Sequence, residues 1–239
     1  MDYTFTIIIP VYNEESNIGR LEEELIAYLK ASTTITRVLF VNDGSTDGSQ
    51  SLIETICNRH LGFEYLLFSK NQGLSAALKA GFDYTDTELI GYIDADLQTS
   101  PEDFNLLLEH IKDSDLVTGV RQNRKDSVIK KLSSRIANRI RRLFTHDGMD
   151  DTGCPLKVIK TEYAKRIPMF KGLHRFLPAM ILLQNGIVKQ VPVRHFPRIA
   201  GTSKFGLRKR LISPLTDCFA YLWMKKKMIA YTIEKKSFE

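Results

Sequence analysis

The sequence predicts an α/β fold, a mostly parallel sheet flanked by helices, and three observations predict it. Short apolar runs at Phe5–Pro10, Arg37–Val41, Phe63–Phe68 and from Ile90 onward recur along the first half of the chain. Each run is followed by a polar loop and then by a stretch suited to a helix, the strand, loop and helix rhythm of a doubly wound sheet. Every polar cluster in this half lies at the carboxyl end of a run, where such sheets bind their ligands.

Phe5 to Pro10 reads as a buried strand closed by Pro10 and followed by Val11, Tyr12, Asn13, Glu14, Glu15, Ser16 and Asn17. The next helix has acidic residues at its start and Ile18, Leu21, Leu25, Ile26 and Leu29 at helical spacing. Arg37 to Val41 is a second strand running into Asn42, Asp43, Gly44, Ser45, Thr46, Asp47 and Gly48, whose turn formers and caps start a helix over Ser49–His60. Asn13 and Ser45 fit turn and capping roles. A third strand, Phe63–Phe68, meets Lys70, Asn71, Gln72 and Gly73 before a helix over Leu74–Phe82.

The fourth run ends in Asp94, Asp96 and Gln98. On an extended chain alternate residues share one side, so three oxygen-bearing side chains would converge there. Such oxygens suit a hard divalent cation, Mg²⁺ or Mn²⁺, which in turn suits a pyrophosphate. The competing reading is that Asp94 and Asp96 cap a helix beginning at Pro101. Asp115–Val120 is a further strand, and Arg121 at its end presents a fork of donors able to clamp phosphate.

A chain of 239 residues with 43% hydrophobic content can bury a substantial core. Three cysteines, Cys57, Cys154 and Cys218, are too few and too scattered for a disulfide framework or a zinc site, which leads us to expect a reduced, cytosolic setting. The N-terminal stretch has no basic flank or cleavage site, so no secretory signal is expected. Neither GxGxxG nor GxxxxGK[ST] occurs, which speaks against a dinucleotide fold or a phosphate-loop NTPase.

Charge is strongly divided along the chain. Residues 1–120 hold 7 Lys/Arg against 20 Asp/Glu, a net of −13, and residues 121–239 hold 27 against 8, a net of +19. An acidic half suited to a metal and a nucleotide is thus joined to a half suited to polyanions. Across 127–145, Ile129, Leu132, Ile136, Ile140 and Leu143 recur at helical spacing, and Lys130, Lys131, Arg135, Arg139, Arg141 and Arg142 fill the other faces. This is an amphipathic basic helix of the interfacial type, or one packed on the domain with a solvated basic face. Leu211–Met224 is apolar but broken by Pro214 and Asp217 and followed by Lys225, Lys226 and Lys227. Spanning a bilayer takes about 20 apolar residues, so no transmembrane helix is expected, and Phe219, Leu222 and Trp223 beside the lysines suit an interfacial anchor or an oligomer contact.

Pro10-Val-Tyr-Asn-Glu14, Asn42-Asp-Gly-Ser-Thr-Asp47, Gly73 and Asp94-Ala-Asp-Leu-Gln98 together resemble the family 2 glycosyltransferases of GT-A fold. Within that family the chain looks most like the polyprenyl-phosphate sugar synthases, the dolichyl-phosphate mannose synthase group. The resemblance implies that Pro10, Tyr12 and Glu14 line the nucleotide pocket, that Val41 and Asp43 hold base and ribose, and that Asp94, Ala95 and Asp96 belong to the donor site. It also places a metal on Asp94, Asp96 and Gln98, gives Arg121 the phosphates, and matches Arg198 and Lys204 to a basic pair reaching the donor diphosphate. Val41 is equally suited to the core. Asn42 departs from relatives that carry a second acidic residue there. Gly201 and Gly206 would let that basic loop close over the donor.

The expected activity is that of a metal-dependent, inverting hexosyltransferase moving a sugar from a UDP- or GDP-linked donor to a polyprenyl phosphate at the cytoplasmic face of the membrane. Asp96, Arg121 and Asp151 would act in the reaction, with Lys130, Ser134 and Arg135 drawing in the acceptor. Asp150 or Asp151 has three readings: a base, an orienting group for the acceptor, or a turn cap. A phosphate monoester with a second pKa of about 6 needs no strong base, which favours orientation. The catalytic domain is expected over 1–205, with its acceptor and lid segment at 146–205, and a peripheral membrane or homo-oligomer segment over 206–239. The nearer rival is transfer to a hydroxyl of a surface polysaccharide or lipopolysaccharide, which needs a true base at Asp150 or Asp151. A nucleic-acid-binding module is more distant, because no recognition motif or stacking platform accompanies the charge.

Overall fold

A computed structural model describes residues 2–122, 139, 141–197, 207–229, 234–235 and 237. The basic helix expected over 127–145 falls outside the described residues except for Arg139 and 141–145, which are helical. Lys130, Ser134, Arg135, Arg198, Gly201, Lys204 and Gly206 also lie outside the described residues.

A seven-stranded sheet runs in the order β3-β2-β1-β4-β6-β5-β7. Its strands are β1 (Phe5–Val11), β2 (Thr36–Asn42), β3 (Phe63–Leu67), β4 (Leu89–Tyr92), β5 (Leu116–Arg121), β6 (Lys157–Lys160) and β7 (Val188–Val193). β1 pairs in parallel with β2 and β4, β2 with β3, and β5 with β7. β6 alone runs the other way, inserted antiparallel between β4 and β5. Sequence reading did not anticipate β6, because four residues after a proline carry too short a pattern to separate strand from loop.

Helices α1 (Glu15–Ala31), α2 (Ser49–Arg59), α3 (Leu74–Tyr84), α4 (Phe104–Leu108), α5 (Thr161–Lys165), α6 (Leu177–Leu183) and α7 (Leu207–Lys227) cover the sheet. Alternation along β1 divides the core between its two faces. Phe5, Ile7 and Ile9 join Leu21 and Leu25 of α1, Ile53 of α2 and Phe104 of α4. Ile8 turns the other way, to Leu78 and Phe82 of α3 and Ile181 of α6. Gly81 lets α3 sit directly on Ile8, since a Cβ there would overlap its side chain.

The C-terminal helix α7 is fastened to this second layer by one face. Cys218 and Tyr221 are buried, Tyr221 stacks on Phe176, and Asp217 faces Arg175 at 3.5 Å. The opposite face exposes Phe219 and Trp223.

Candidate functional site

The polar loops that leave β1, β2, β4 and β5 all emerge at one edge of the sheet, because those strands share a direction. The first two loops are laced together. The Asn13 main-chain N–H donates to Ser45 Oγ at 2.9 Å, Thr46 N–H to Asn13 Oδ1 at 2.7 Å, and Glu14 N–H to Ser49 Oγ at 3.0 Å. Asn13 and Ser45 therefore hold each other in turn roles. Glu14 Oε2 accepts from Asn17 Nδ2 at 2.6 Å, which turns its carboxylate back over the first turn of α1. Pro10 and Tyr12 stand half-buried at the same rim.

Asp43 is buried and joins the second loop to the third. Its carboxylate accepts from Gln72 N–H at 2.6 Å, Gly73 N–H at 2.8 Å and Asn71 Nδ2 at 2.9 Å. Gly73, at φ +94°, bends the chain so that its N–H meets Asp43 just as α3 begins. Val41 is fully buried in the core cluster around Ile8, which meets the core role its sequence also suited, and Ala95 is also buried.

The extended geometry expected through Gln98 is corrected. β4 stops at Tyr92, and Asp94 to Leu97 form a turn in which Leu97 N–H reaches Asp94 O at 3.4 Å. Leu97 takes the left-handed conformation, φ +50°, with its side chain buried. A branched residue there costs about 1–2 kcal/mol of strain, and packing of the side chain holds it. The carboxylates meet through a turn rather than through strand alternation. The capping alternative falls away, because Ser100 Oγ accepts from Glu102 N–H at 3.3 Å and so caps the 3₁₀ turn Pro101–Asp103.

Asp94 is half-buried and Asp96 is 7% exposed. Burial, followed by the neighbouring charge of Asp96, pushes the Asp94 carboxyl up to about 6, while Tyr92, Lys157 and Arg121 pull against that rise. Tyr92 Oη donates to Asp94 Oδ1 at 2.8 Å, and Gln98 N–H donates to Asp96 Oδ1 at 3.2 Å. Two crowded carboxylates, with Asp94 held toward protonation, form a donor set that a hard divalent cation would relieve. Among the described residues no group of three or more His, Cys, Asp or Glu side chains gathers as a metal cage. Ions such as Mg²⁺ are commonly held by one or two carboxylates and complete their shell with phosphate and water. Asp94 and Asp96, with Gln98 half-buried beside them, would hold such an ion.

Arg121, at the end of β5, is engaged by Asp151. Nε donates to Oδ2 at 2.7 Å and Nη2 to Oδ1 at 2.8 Å, and the Arg121 main-chain N–H reaches Oδ2 at 3.3 Å. The pair sits under the turn in which Cys154 N–H meets Asp151 O at 3.1 Å. Asp150 instead lies outward, 3.2 Å from Arg142. After β7 the chain runs along the Asp94–Leu97 turn, with Phe196 N–H bound to Gln98 O at 2.9 Å and Arg194 Nε to Asp103 Oδ1 at 2.8 Å. His174, whose ring Nδ1 lies 2.9 Å from Ser75 Oγ, is a packing residue held near pKa 3, chiefly by burial.

Sequence reading missed Tyr92 and Lys157. Tyr92 had one signal, its position two residues before Asp94. Lys157 had another, a lone cation in the apolar run Leu156–Ile159.

The model of the family described as glycosyl transferase family 2 matches residues 6–167. A dodecaprenyl-phosphate galacturonate synthase of Rhizobium johnstonii is 29% identical over 230 residues, which cover 93% of this chain and 68% of that protein. An undecaprenyl-phosphate 4-deoxy-4-formamido-L-arabinose transferase of Sodalis glossinidius is 32% identical over 222 residues, covering 89% and 67%. Among solved structures, glucosyl-3-phosphoglycerate synthase of Mycobacterium tuberculosis in complex with Mn²⁺, UDP-glucose and phosphoglyceric acid superposes with a TM-score of 0.70 at 15% identity, covering 95% of this chain and 81% of that one. The rim of loops, the carboxylate turn and the match over 6–167 agree, and the chain belongs to glycosyl transferase family 2.

Proposed function

We propose that the chain transfers a sugar, with inversion, from a nucleotide diphosphate sugar to a polyprenyl phosphate at the cytoplasmic face of a membrane. The observation that carries this reading is the Arg121–Asp151 fork. A hydroxyl acceptor needs a carboxylate poised to take its proton. Asp151, the more buried candidate, has both oxygens committed to a guanidinium, whereas a phosphate dianion attacks without such a base. The relatives that act on dodecaprenyl and undecaprenyl phosphate favour the same acceptor class.

In this mechanism Asp94 and Asp96 hold a divalent cation, with Gln98 as a third oxygen. When bound, the ion offsets the charge that builds on the departing nucleoside diphosphate. A fold neighbour solved with Mn²⁺ and UDP-glucose supports a cation of this kind, and either Mg²⁺ or Mn²⁺ suits the oxygen donors. Pro10, Tyr12, Glu14 and the loop fixed by Asp43 receive the nucleotide. Arg121, anchored by Asp151, places positive charge beside Asp94 where phosphate oxygens gather. Lys130, Ser134 and Arg135 on the acceptor side, and Arg198 and Lys204 on the donor side, complete the reading.

Residues 206–239 would bring this site to the bilayer as the outer part of a chain whose catalytic domain spans 1–205. Phe219, Trp223 and Ile229 are exposed beside Lys225, Lys226 and Lys227, and Leu143 is exposed near Phe144, which meets Phe219 edge-on at 5.5 Å. Apolar side chains flanked by lysines suit an anionic membrane surface, which the chain would meet as a peripheral protein. Among the described residues no helix is long and apolar enough to cross a membrane.

The test presents a panel of UDP- and GDP-sugars with undecaprenyl phosphate and, separately, with undecaprenol, and identifies products by mass. A sugar phosphoprenol product is expected. Transfer to undecaprenol at a comparable rate would overturn the reading.

A further inference from the structure

A lysine at the centre of a sheet stands out among the buried groups. Lys157 opens β6, is 1% exposed, and lies directly across from Tyr92 of β4 in the antiparallel register. Burying an ammonium costs several kcal/mol unless its donors are satisfied. Here Nζ donates to Cys154 O, reaches Thr152 O at 3.4 Å, and lies 5.9 Å from the centre of the Tyr92 ring. Each of these contacts belongs to one of two functional segments. Thr152 and Cys154 are in the turn that begins with Asp151, the anchor of Arg121. Tyr92 places its hydroxyl on Asp94 Oδ1 at 2.8 Å.

We propose that Lys157 is a positioning residue: through Tyr92 it orients the Asp94 carboxylate for the metal, and through Thr152 and Cys154 it fixes the turn that holds Arg121. The proposal rests on the reading of Asp94 and Asp96 as metal ligands. Oδ1 of Asp94 accepts from the phenol, which restrains the carboxylate about its last torsion. Partners of this kind set the direction of a ligand and tune its affinity, typically by 10- to 100-fold. An aliphatic residue in place of Lys157 would remove the ammonium's contacts with Thr152 O and Cys154 O and would loosen the Arg121 anchor together with the metal side. The same ammonium thus makes the donor and acceptor halves of the site answer to one another.

The test uses the full chain and Mn²⁺ alone, with free Mn²⁺ followed by electron paramagnetic resonance and folding by thermal melting. Tyr92→Phe removes only the hydroxyl and is expected to weaken Mn²⁺ binding about 10-fold with little change in melting. Lys157→Met is expected to weaken binding similarly, and Lys157→Arg, which keeps the charge, to retain more of it than Lys157→Met. Added Mn²⁺ should slow amide exchange across residues 151–154 in the wild type and fail to do so in Lys157→Met. If Lys157→Met does not fold, Tyr92→Phe still decides the metal side and Lys157→Arg the turn. Unchanged Mn²⁺ affinity in Tyr92→Phe and Lys157→Met, with affinity lost in Asp96→Ala, would overturn the proposal and leave the metal reading standing. Unchanged affinity in Asp96→Ala would overturn both.

Discussion

Asp151 takes Arg121 in a two-point fork, Nε to Oδ2 at 2.7 Å and Nη2 to Oδ1 at 2.8 Å, with the two side chains 6% and 12% exposed. Breaking a largely buried pair leaves one charge without its counterpart, so Asp151→Asn is expected to cost about 3 kcal/mol of stability in urea unfolding. Asp150, whose pair with Arg142 is exposed, is expected to lose less than about 0.5 kcal/mol on Asp150→Asn and to keep its transfer rate. A large rate loss in Asp150→Asn with acceptor binding intact would point to a hydroxyl acceptor instead.

Asp96→Ala removes one of the two carboxylates proposed to hold the metal and is expected to lower turnover at saturating Mn²⁺ by at least about 10³-fold, since metal stabilisation of developing charge is worth several kcal/mol. Chelation of the wild type should abolish turnover, and either Mn²⁺ or Mg²⁺ should restore it. Near-normal activity of Asp96→Ala with cation present would remove the metal assignment.

Asp43 accepts three donors from the loop after β3. Asp43→Asn sets an amide N–H₂ against one or more of them, and leaving such groups unmatched costs about 1–3 kcal/mol. The loop between Asn71 and Gly73 should loosen, raising KM for the nucleotide sugar more than it lowers kcat. Unaltered KM in steady-state kinetics would separate Asp43 from the nucleotide pocket.

Acid should destabilise the fold through His174. Its folded pKa lies near 3, set first by burial and then by the charges of Arg175 and Lys157, against 6.5 for an ordinary histidine. Between those values the unfolded chain binds the extra proton, so stability is complete above about pH 6.5 and falls as pH drops. This group contributes a slope of up to about 1.4 kcal/mol per pH unit. Urea unfolding of wild type and His174→Gln at pH 7, 6 and 5 should show a flatter dependence in the variant.

Docking to the bilayer should depend on the outer face of α7. Phe219→Ser with Trp223→Ser is expected to weaken cosedimentation with anionic phosphatidylglycerol vesicles at least about 10-fold, since each large side chain contributes about 1.5–3 kcal/mol when buried. Tyr221, on the inner face, is stacked on Phe176, so the double variant should melt close to wild type. Binding that persists in the variant while a dimer dissociates in sedimentation would assign the face to self-association.

Much of this architecture was legible from local pattern. The apolar run Phe5–Pro10 and the helical spacing in Ile18–Leu29 are short-range signals, set by which side chains can reach a common core, and they located β1 within one residue and α1 within three. Asp43, Asp94, Asp96 and Arg121 were marked by residue type at strand ends, where chain direction alone makes a rim. The turn at Asp94–Leu97 was not legible, because a left-handed leucine is held by surrounding packing and has no preference of its own to announce it.

The sequence by itself determined the order of strands and helices through the first half of the chain, the split of charge between the halves, and which acidic groups stand at the strand ends. Tertiary structure decided which of them act together. Arg121 meets Asp151 from 30 residues away, and Asp43 meets Asn71 from 28. Lys157 meets Tyr92 only because β6 enters the sheet antiparallel beside β4. Such partners are selected by sheet register and loop closure, which depend on the packing of the whole chain, and no local spacing records them.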